Sequence, residues 1–215
     1  MADQSGATYL VNTAKNHFSH PRTGKFQIDI IVNNAAIAEN MPLEEVTPEA
    51  FIKIYAVNVL GPILLMKAAL PYLPHDRSGR IVNLSSVSSS IGFKGQTLYG
   101  GTKAALEAMT RTWSRELAER ATVNAINPGP VATEMYDKTG EDFQAQLKPY
   151  IQNAPLQAVR EGIDEERFVK DNDRAGGRPA YPVEIAGIVT MLCGEDSGWC
   201  TGSVVCANGG FKFSY

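Results

Sequence analysis

The chain has 215 residues, 44% hydrophobic and 20% charged, with a formal net charge of −3. That suffices for one globular domain, residues 1–215, with its own core, and gives no electrostatic pull toward nucleic acid or an anionic membrane. The longest apolar stretch, residues 57–69, is broken by Asn58, Pro62 and Lys67, the N-terminus has no signal-peptide pattern, and Cys193, Cys200 and Cys206 lack paired spacing, so a soluble α/β or α+β domain with reduced thiols, in the cytoplasm, is expected.

Residues 28–32, Ile-Asp-Ile-Ile-Val, form a β-branched run that stops at Asn33-Asn34 and suits a central parallel strand covered on both faces. Thr47 is an N-cap candidate with Pro48 at the first helical position, and apolar residues at helical spacing then carry a helix to Leu70. Residues 80–84 read as a second strand ending in a serine-rich turn, 98–117 as a long amphipathic helix, and 122–127 as a third strand stopped by Pro128-Gly129-Pro130. Residues 133–180 are polar and charged, which predicts a loop with one or two short helices. Residues 182–193 predict another helix and 203–207 a last strand. Strands alternating with helices imply a parallel sheet joined by crossovers.

Tyr99 and Lys103 stand four residues apart on one helix and share a face. Alone, the pair also fits a half-buried tyrosine beside a solvated lysine. Gly100 and Gly101 follow the tyrosine, weakening the helix and leaving backbone space. Thirteen residues upstream, at a strand end, is Ser86. Ligands of parallel sheets bind beyond the carboxyl ends of the strands, so Ser86 and the tyrosine helix can face one crevice. An ammonium about 4 Å from a phenol contributes about 4 kcal/mol at an effective dielectric near 20, enough to draw a tyrosine pKa from about 10 toward 7. Such a phenol exchanges protons with a carbonyl or alcohol oxygen that a serine hydroxyl holds in place.

Asn33-Asn34-Ala35-Ala36, Asn58, Ser86, Tyr99-x-x-x-Lys103 and Pro128-Gly129-Pro130-Val131-Ala132-Thr133 occur in the order and intervals of the short-chain dehydrogenases/reductases, which the chain resembles from about residue 28 to 210. The resemblance implies a three-layer Rossmann-like α/β fold, a parallel sheet flanked by helices. It also implies an NAD(P)-dependent oxidoreductase acting on a ketone or alcohol, using NADP(H) or NAD(H) and no metal. Carried over, Tyr99 is the general acid/base, Lys103 tunes it and holds the nicotinamide ribose, Ser86 orients the carbonyl, and Asn58 interrupts its helix and holds a relay water. Asn34 would lie near the cofactor ribose, Val131 and Thr133 at the nicotinamide carboxamide. Outside this constellation Asn58 reads as a helix-surface amide and Thr133 as a helix N-cap. Family members pair as homodimers or homotetramers through the helices here at 47–70 and 98–117 and the last strand, and the aromatic C-terminus is expected at that interface.

The family's opening strand and T-G-x-x-x-G-x-G turn, which seats the pyrophosphate on a helix N-terminus, are not found in this sequence; Gly6 and Gly24 are isolated. Ala2-Asp3-Gln4-Ser5 is similar to the segment after the family's third strand, which assigns Asp3 to the adenine. The fold is therefore expected to be truncated at its N-terminus, with the strand at 28–32 left as an open edge. Two further readings follow: a cofactor-independent isomerase, cyclase or dehydratase using the same crevice, or a non-catalytic subunit of a full-length relative. The loop at 134–181 sets the substrate in the family, and Met135, Tyr136, Phe143, Leu147 and Tyr150 there either line a pocket for a hydrophobic substrate or pin the loop to the body.

Overall fold

A computed structural model describes residues 4–213. Its elements in chain order are α1 (Gln4–Phe18), β1 (Ile30–Asn33), α2 (Pro48–Tyr55), α3 (Gly61–Ala69), β2 (Gly79–Leu84), α4 (Ser88–Ile91), α5 (Thr97–Glu116), β3 (Ala121–Ile126), α6 (Glu134–Asp137), α7 (Glu141–Asn153), α8 (Glu166–Ala175), α9 (Pro182–Cys193) and β4 (Val204–Val205). The strands form one parallel sheet in the order β1-β2-β3-β4, with Asn33 beside Asn83 and Leu84 beside Ile126. The Rossmann-like three-layer expectation holds.

Each sheet face has its own core. Ile31, Ile81 and Val123 pack under Val11 of α1, Met66 of α3 and Leu117 at the end of α5. Val82 and Ile126, on the opposite face, meet Leu192 of α9 and Ala207. The central strands β2 and β3 are buried along almost their whole length, as continuous apolar runs in a parallel sheet require. Of the two expectations for β1, a strand covered on both faces and an open edge, the first is corrected: its burial alternates, and Ile30 and Val32 are 51% and 39% exposed. Among the described residues it is one edge of the sheet, β4 being the other.

Thr47 caps α2 by accepting from the Ala50 N–H at 3.2 Å, with Pro48 at the first position. The helix continues into α3 through a π turn at Ala56–Leu60. By length and hydropathy alone the 25 residues Pro48–Tyr72 could cross a membrane, which corrects the impression left by the interrupted run at 57–69. Here Ile54, Asn58, Met66 and Ala69 are buried against the rest of the chain, while Phe51, Ile52 and Leu60 remain exposed on the outer side. Two elements lay outside the sequence expectation: α1, and the one-turn α4 inside the serine-rich segment, closed by Gly92 at φ +81°. The 133–180 region holds three helices where one or two were expected.

The C-terminal segment folds back on its own chain. Phe211 is 5% exposed and packs with Phe93, Phe143 and Leu147, stacking on Tyr150 at 5.3 Å. Its aromatic partners come from α7 and the loop before α5, while Phe213 stays 67% exposed.

Candidate active site

The carboxyl ends of β1, β2 and β3 bring three segments to one rim of the sheet: Asn34-Ala35-Ala36, Ser85-Ser86-Val87 and Pro128 to Thr133. Strand-like pairing carries past the ends of β2 and β3, since Ser85 N–H donates to Ile126 O and Val87 N–H to Pro128 O. This places Ser86 at the rim, where α/β sheets bind ligands. Its hydroxyl accepts from Ser88 N–H at 3.1 Å and favours ionisation of the Tyr99 phenol. The turn around it is tied down from α5: the Glu107 carboxylate accepts from both Ser85 and Ser89 hydroxyls at 2.7 Å. Nothing in the sequence singled out Glu107, whose role depends on two serines some twenty residues away.

Gly100 and Gly101 have a definite use. A Cβ on Gly100 would stand 2.7 Å from the Ser88 carbonyl oxygen and one on Gly101 2.6 Å from the Tyr55 hydroxyl. The space opened by the two glycines is filled by the serine turn and by α2, so α5 can press close to both and hold Tyr99 beside Ser86.

The electrostatics differ from the sequence expectation. Burial pushes the Tyr99 phenol up to about 12, with the Ser86 hydroxyl acting in the opposite direction. Burial also brings Lys103 down to about 8. The Lys103 amine donates to Leu84 O at 2.7 Å and sits 5.5 Å from the centre of the Tyr99 ring, so desolvation outweighs the attraction that would have lowered the phenol. In this state Tyr99 is a protonated acid at neutral pH.

Asn58 lies in the π turn, 2% exposed. Its amide accepts from Ile37 N–H at 2.9 Å and donates to Ile37 O at 2.8 Å and to the Thr102 hydroxyl at 3.1 Å. It thereby ties the segment after Asn34 to α5, one residue from Lys103, through Ile37 and Thr102, and interrupts its helix as expected. Asn34 is exposed at the rim. Thr133 caps α6, accepting from Tyr136 N–H at 3.4 Å. Val131 forms a parallel bridge to Ala180. Asp3 lies outside the described residues. In the following loop Phe143 and Leu147 are buried in the aromatic cluster, while Met135 and Tyr150 are 40% and 39% exposed.

A sequence profile described as enoyl-(acyl carrier protein) reductase matches residues 10–166. An L-xylulose reductase of Aspergillus niger is 51% identical over 99% of this chain and 78% of its own length. The chain belongs to the short-chain dehydrogenase/reductase family. An L-xylo-3-hexulose reductase of Hypocrea jecorina is 48% identical over 98% of this chain and 75% of its own length. Among solved structures, a glucose/ribitol dehydrogenase of this family from Brucella melitensis superposes with TM-score 0.78 at 28% identity, covering 99% of this chain and 74% of its own. A metagenomic blue fluorescent protein in complex with NADPH does so with TM-score 0.76 at 30% identity, covering 99% and 73%. Short-chain dehydrogenases/reductases of this kind are oxidoreductases of the C=O/CH–OH couple that use a nicotinamide dinucleotide, and the chain is one of them.

Proposed function

We propose that this protein is a ketose reductase in which Tyr99, Lys103, Ser86 and Asn58 form the catalytic group. The observation that carries the reading is the meeting of Ser86, Tyr99 and Lys103 at the carboxyl rim of the sheet, with the Lys103 amine 5.5 Å from the centre of the Tyr99 ring. The rim suits the nicotinamide riboside end of NADPH or NADH: Tyr99 and Lys103 offer a donor and an amine on one side, and Asn34, Val131 and Thr133 flank them. Among the described residues no glycine-rich turn opens a helix at this rim, Gly6 lying in α1 and Gly24 in the turn after it, so these residues are assigned to the nicotinamide half alone. Bound there, the reduced cofactor supplies the hydride.

The chain's own residues supply the proton and the orientation. Ser86 and Tyr99 hydroxyls together hold the substrate oxygen. Tyr99, protonated up to about pH 12, donates its proton to that oxygen as negative charge develops on it, a contribution of about 10²–10⁴ in rate. Lys103, less basic than an exposed lysine, anchors the ribose and offers the phenolate a positive neighbour once the proton has left. Asn58 keeps Ile37 and Thr102, and so α5, in register with the rim.

The substrate we propose is a polyhydroxylated ketone, such as those named for the two relatives. The sequence-based preference for a hydrophobic substrate loses its main support, because Phe143 and Leu147 are used up in packing. Homodimer or homotetramer assembly is part of the proposal, supported by Phe51, Ile52 and Leu60, which leave an apolar outer surface along α2 and the π turn. The test is coenzyme-dependent reduction of L-xylulose and a ketose panel by the wild type and Tyr99→Phe. Turnover lost in the variant supports the reading; undiminished turnover in Tyr99→Phe would overturn it.

A further inference from the structure

The region after the serine turn carries a buried charge cluster that the proposed chemistry does not use. The side chains of Arg178 and Asp164 are 5% and 1% exposed, with Arg178 Nε 3.1 Å from Asp164 Oδ1. The two terminal nitrogens of Arg178 each donate to one oxygen of Glu184 at 2.8 Å, a bidentate pair. Asp164 is held in turn by the Arg160 N–H at 2.8 Å and the Arg160 guanidinium, and Tyr181 donates to its Oδ1 at 3.5 Å. Glu184 also accepts from Tyr181 N–H at 2.7 Å, closing the start of α9. The bidentate Glu184 pair fixes the plane of the buried guanidinium, since planar bidentate pairs specify geometry as well as energy, and Asp164 adds a close ion pair at Nε without a hydrogen bond.

What this cluster grips is the strand-like segment 178–181, and that segment is bonded to the rim. Ala180 N–H donates to Pro130 O at 2.9 Å and Ala132 N–H donates to Ala180 O at 2.8 Å. On its other side, Arg178 N–H donates to Gln157 O at 2.8 Å. Gly177 makes this approach possible: a Cβ there would lie 2.4 Å from Gln157 O. Residues 130–133 therefore have a neighbour whose position is set by Arg178 and its two carboxylates, and α6, capped by Thr133, begins where that bonding ends.

We propose that Arg178, clamped by Asp164 and Glu184, is a positioning residue that sets the height of the 131–133 segment against the nicotinamide end of the coenzyme. The proposal rests on the reductase reading above, which places Val131 and Thr133 at the carboxamide. It separates the two ligands of one active site: the clamp acts on coenzyme binding and on hydride geometry, and leaves the grip of Ser86 and Tyr99 on the ketone alone. Because emptying either partner of a buried ion pair is costly, the test uses a lysine that keeps the cation at 178 and an isosteric amide at 184, each of which breaks the bidentate pair without leaving a cavity.

Coenzyme KM, ketone KM at saturating coenzyme and kcat are measured for wild type, Arg178→Lys and Glu184→Gln, with thermal unfolding beside them. Glu184→Gln is the variant that secures the test if Arg178→Lys does not fold, since its side chain is 44% exposed. The expected result is a coenzyme KM raised about tenfold with a reduced kcat, an unchanged ketone KM, and a Glu184→Gln midpoint within about 5 °C of wild type. Coenzyme and ketone KM rising together, or both variants behaving as wild type, would overturn the positioning role. A wild type with no coenzyme-dependent turnover removes the reductase reading itself, and the clamp's role with it; the wild-type control makes the two failures distinguishable.

Discussion

Replacing Lys103 with methionine should make this protein more stable at neutral pH while abolishing its activity. Lys103 is 4% exposed, and its amine has Leu84 O as its hydrogen-bond acceptor. Burial lowers its pKa from 10.5 to about 8, which places about 3 kcal/mol of penalty on the folded state whenever the amine is charged in both states. The sign follows from proton counts: between pH 8 and 10.5 the unfolded chain binds the proton and the folded chain does not, so wild-type stability rises with pH across that window and the gain is lost as pH falls to about 8. Methionine fills a similar volume, carries no charge and gives up one hydrogen bond worth about 1 kcal/mol. The variant should therefore exceed wild type by about 2 kcal/mol at pH 7, and that advantage should shrink by about 2 kcal/mol by pH 9.5. Tyr99, held up at about 12 by the same burial, is common to both proteins and cancels in the difference. Urea unfolding of both at pH 7 and 9.5 gives the comparison directly. A variant less stable than wild type at pH 7, or a stability difference that does not move with pH, would refute the reasoning.

Other outcomes follow from particular contacts. Asn58→Ala removes three hydrogen bonds from a residue 2% exposed and should cost about 3 kcal/mol in denaturant unfolding; a cost under about 1 kcal/mol would show that the π turn does not depend on them. Gly100→Ala pushes a methyl to 2.7 Å from Ser88 O, so the serine turn must shift and kcat should fall more than tenfold, which steady-state kinetics would register. Phe211→Ala empties a site 5% exposed in a buried apolar cluster with Val87, Phe93, Phe143, Leu147, Ile151 and Ala154; the expected loss is about 3–5 kcal/mol by thermal or urea unfolding. Glu107→Gln weakens the acceptor shared by Ser85 and Ser89 and should lower kcat with little change in ketone KM, whereas a rise in ketone KM alone would point to direct substrate contact.

Local chemistry was the legible part of this fold. The apolar runs at β2 and β3 have one outcome in a covered parallel sheet, and Thr47-Pro48 is a helix start on its own terms. Tyr99 and Lys103 share a face because four residues make one turn. What the sequence concealed depends on partners distant along the chain. α1 buries only Ala7 and Val11 among its 15 residues, too narrow a stripe to stand out. β1 looks central by composition because Ile30 and Val32 are apolar, yet the described residues bring no helix over them. Phe211 reads as a loose aromatic tail until Phe93 and Tyr150 are brought to it from well over fifty residues upstream. The charged residues of the 133–180 region look like solvated surface, and Asp164 and Arg178 become a buried pair, joined by the half-exposed Glu184, only once α9 is placed. The ionisation of Tyr99 turned on the same distinction: spacing brings a lysine near it, but burial of both groups decides the direction.

The central claim is that the rim holding Ser86, Tyr99 and Lys103 binds the nicotinamide end of a reduced dinucleotide. Titrating the 215-residue chain with NADPH and with NADH while following nicotinamide fluorescence tests it most directly. The account predicts saturable binding in about the micromolar range for at least one of them, weakened when Lys103 is methionine. No binding at about millimolar coenzyme, or binding indifferent to Lys103, would contradict it.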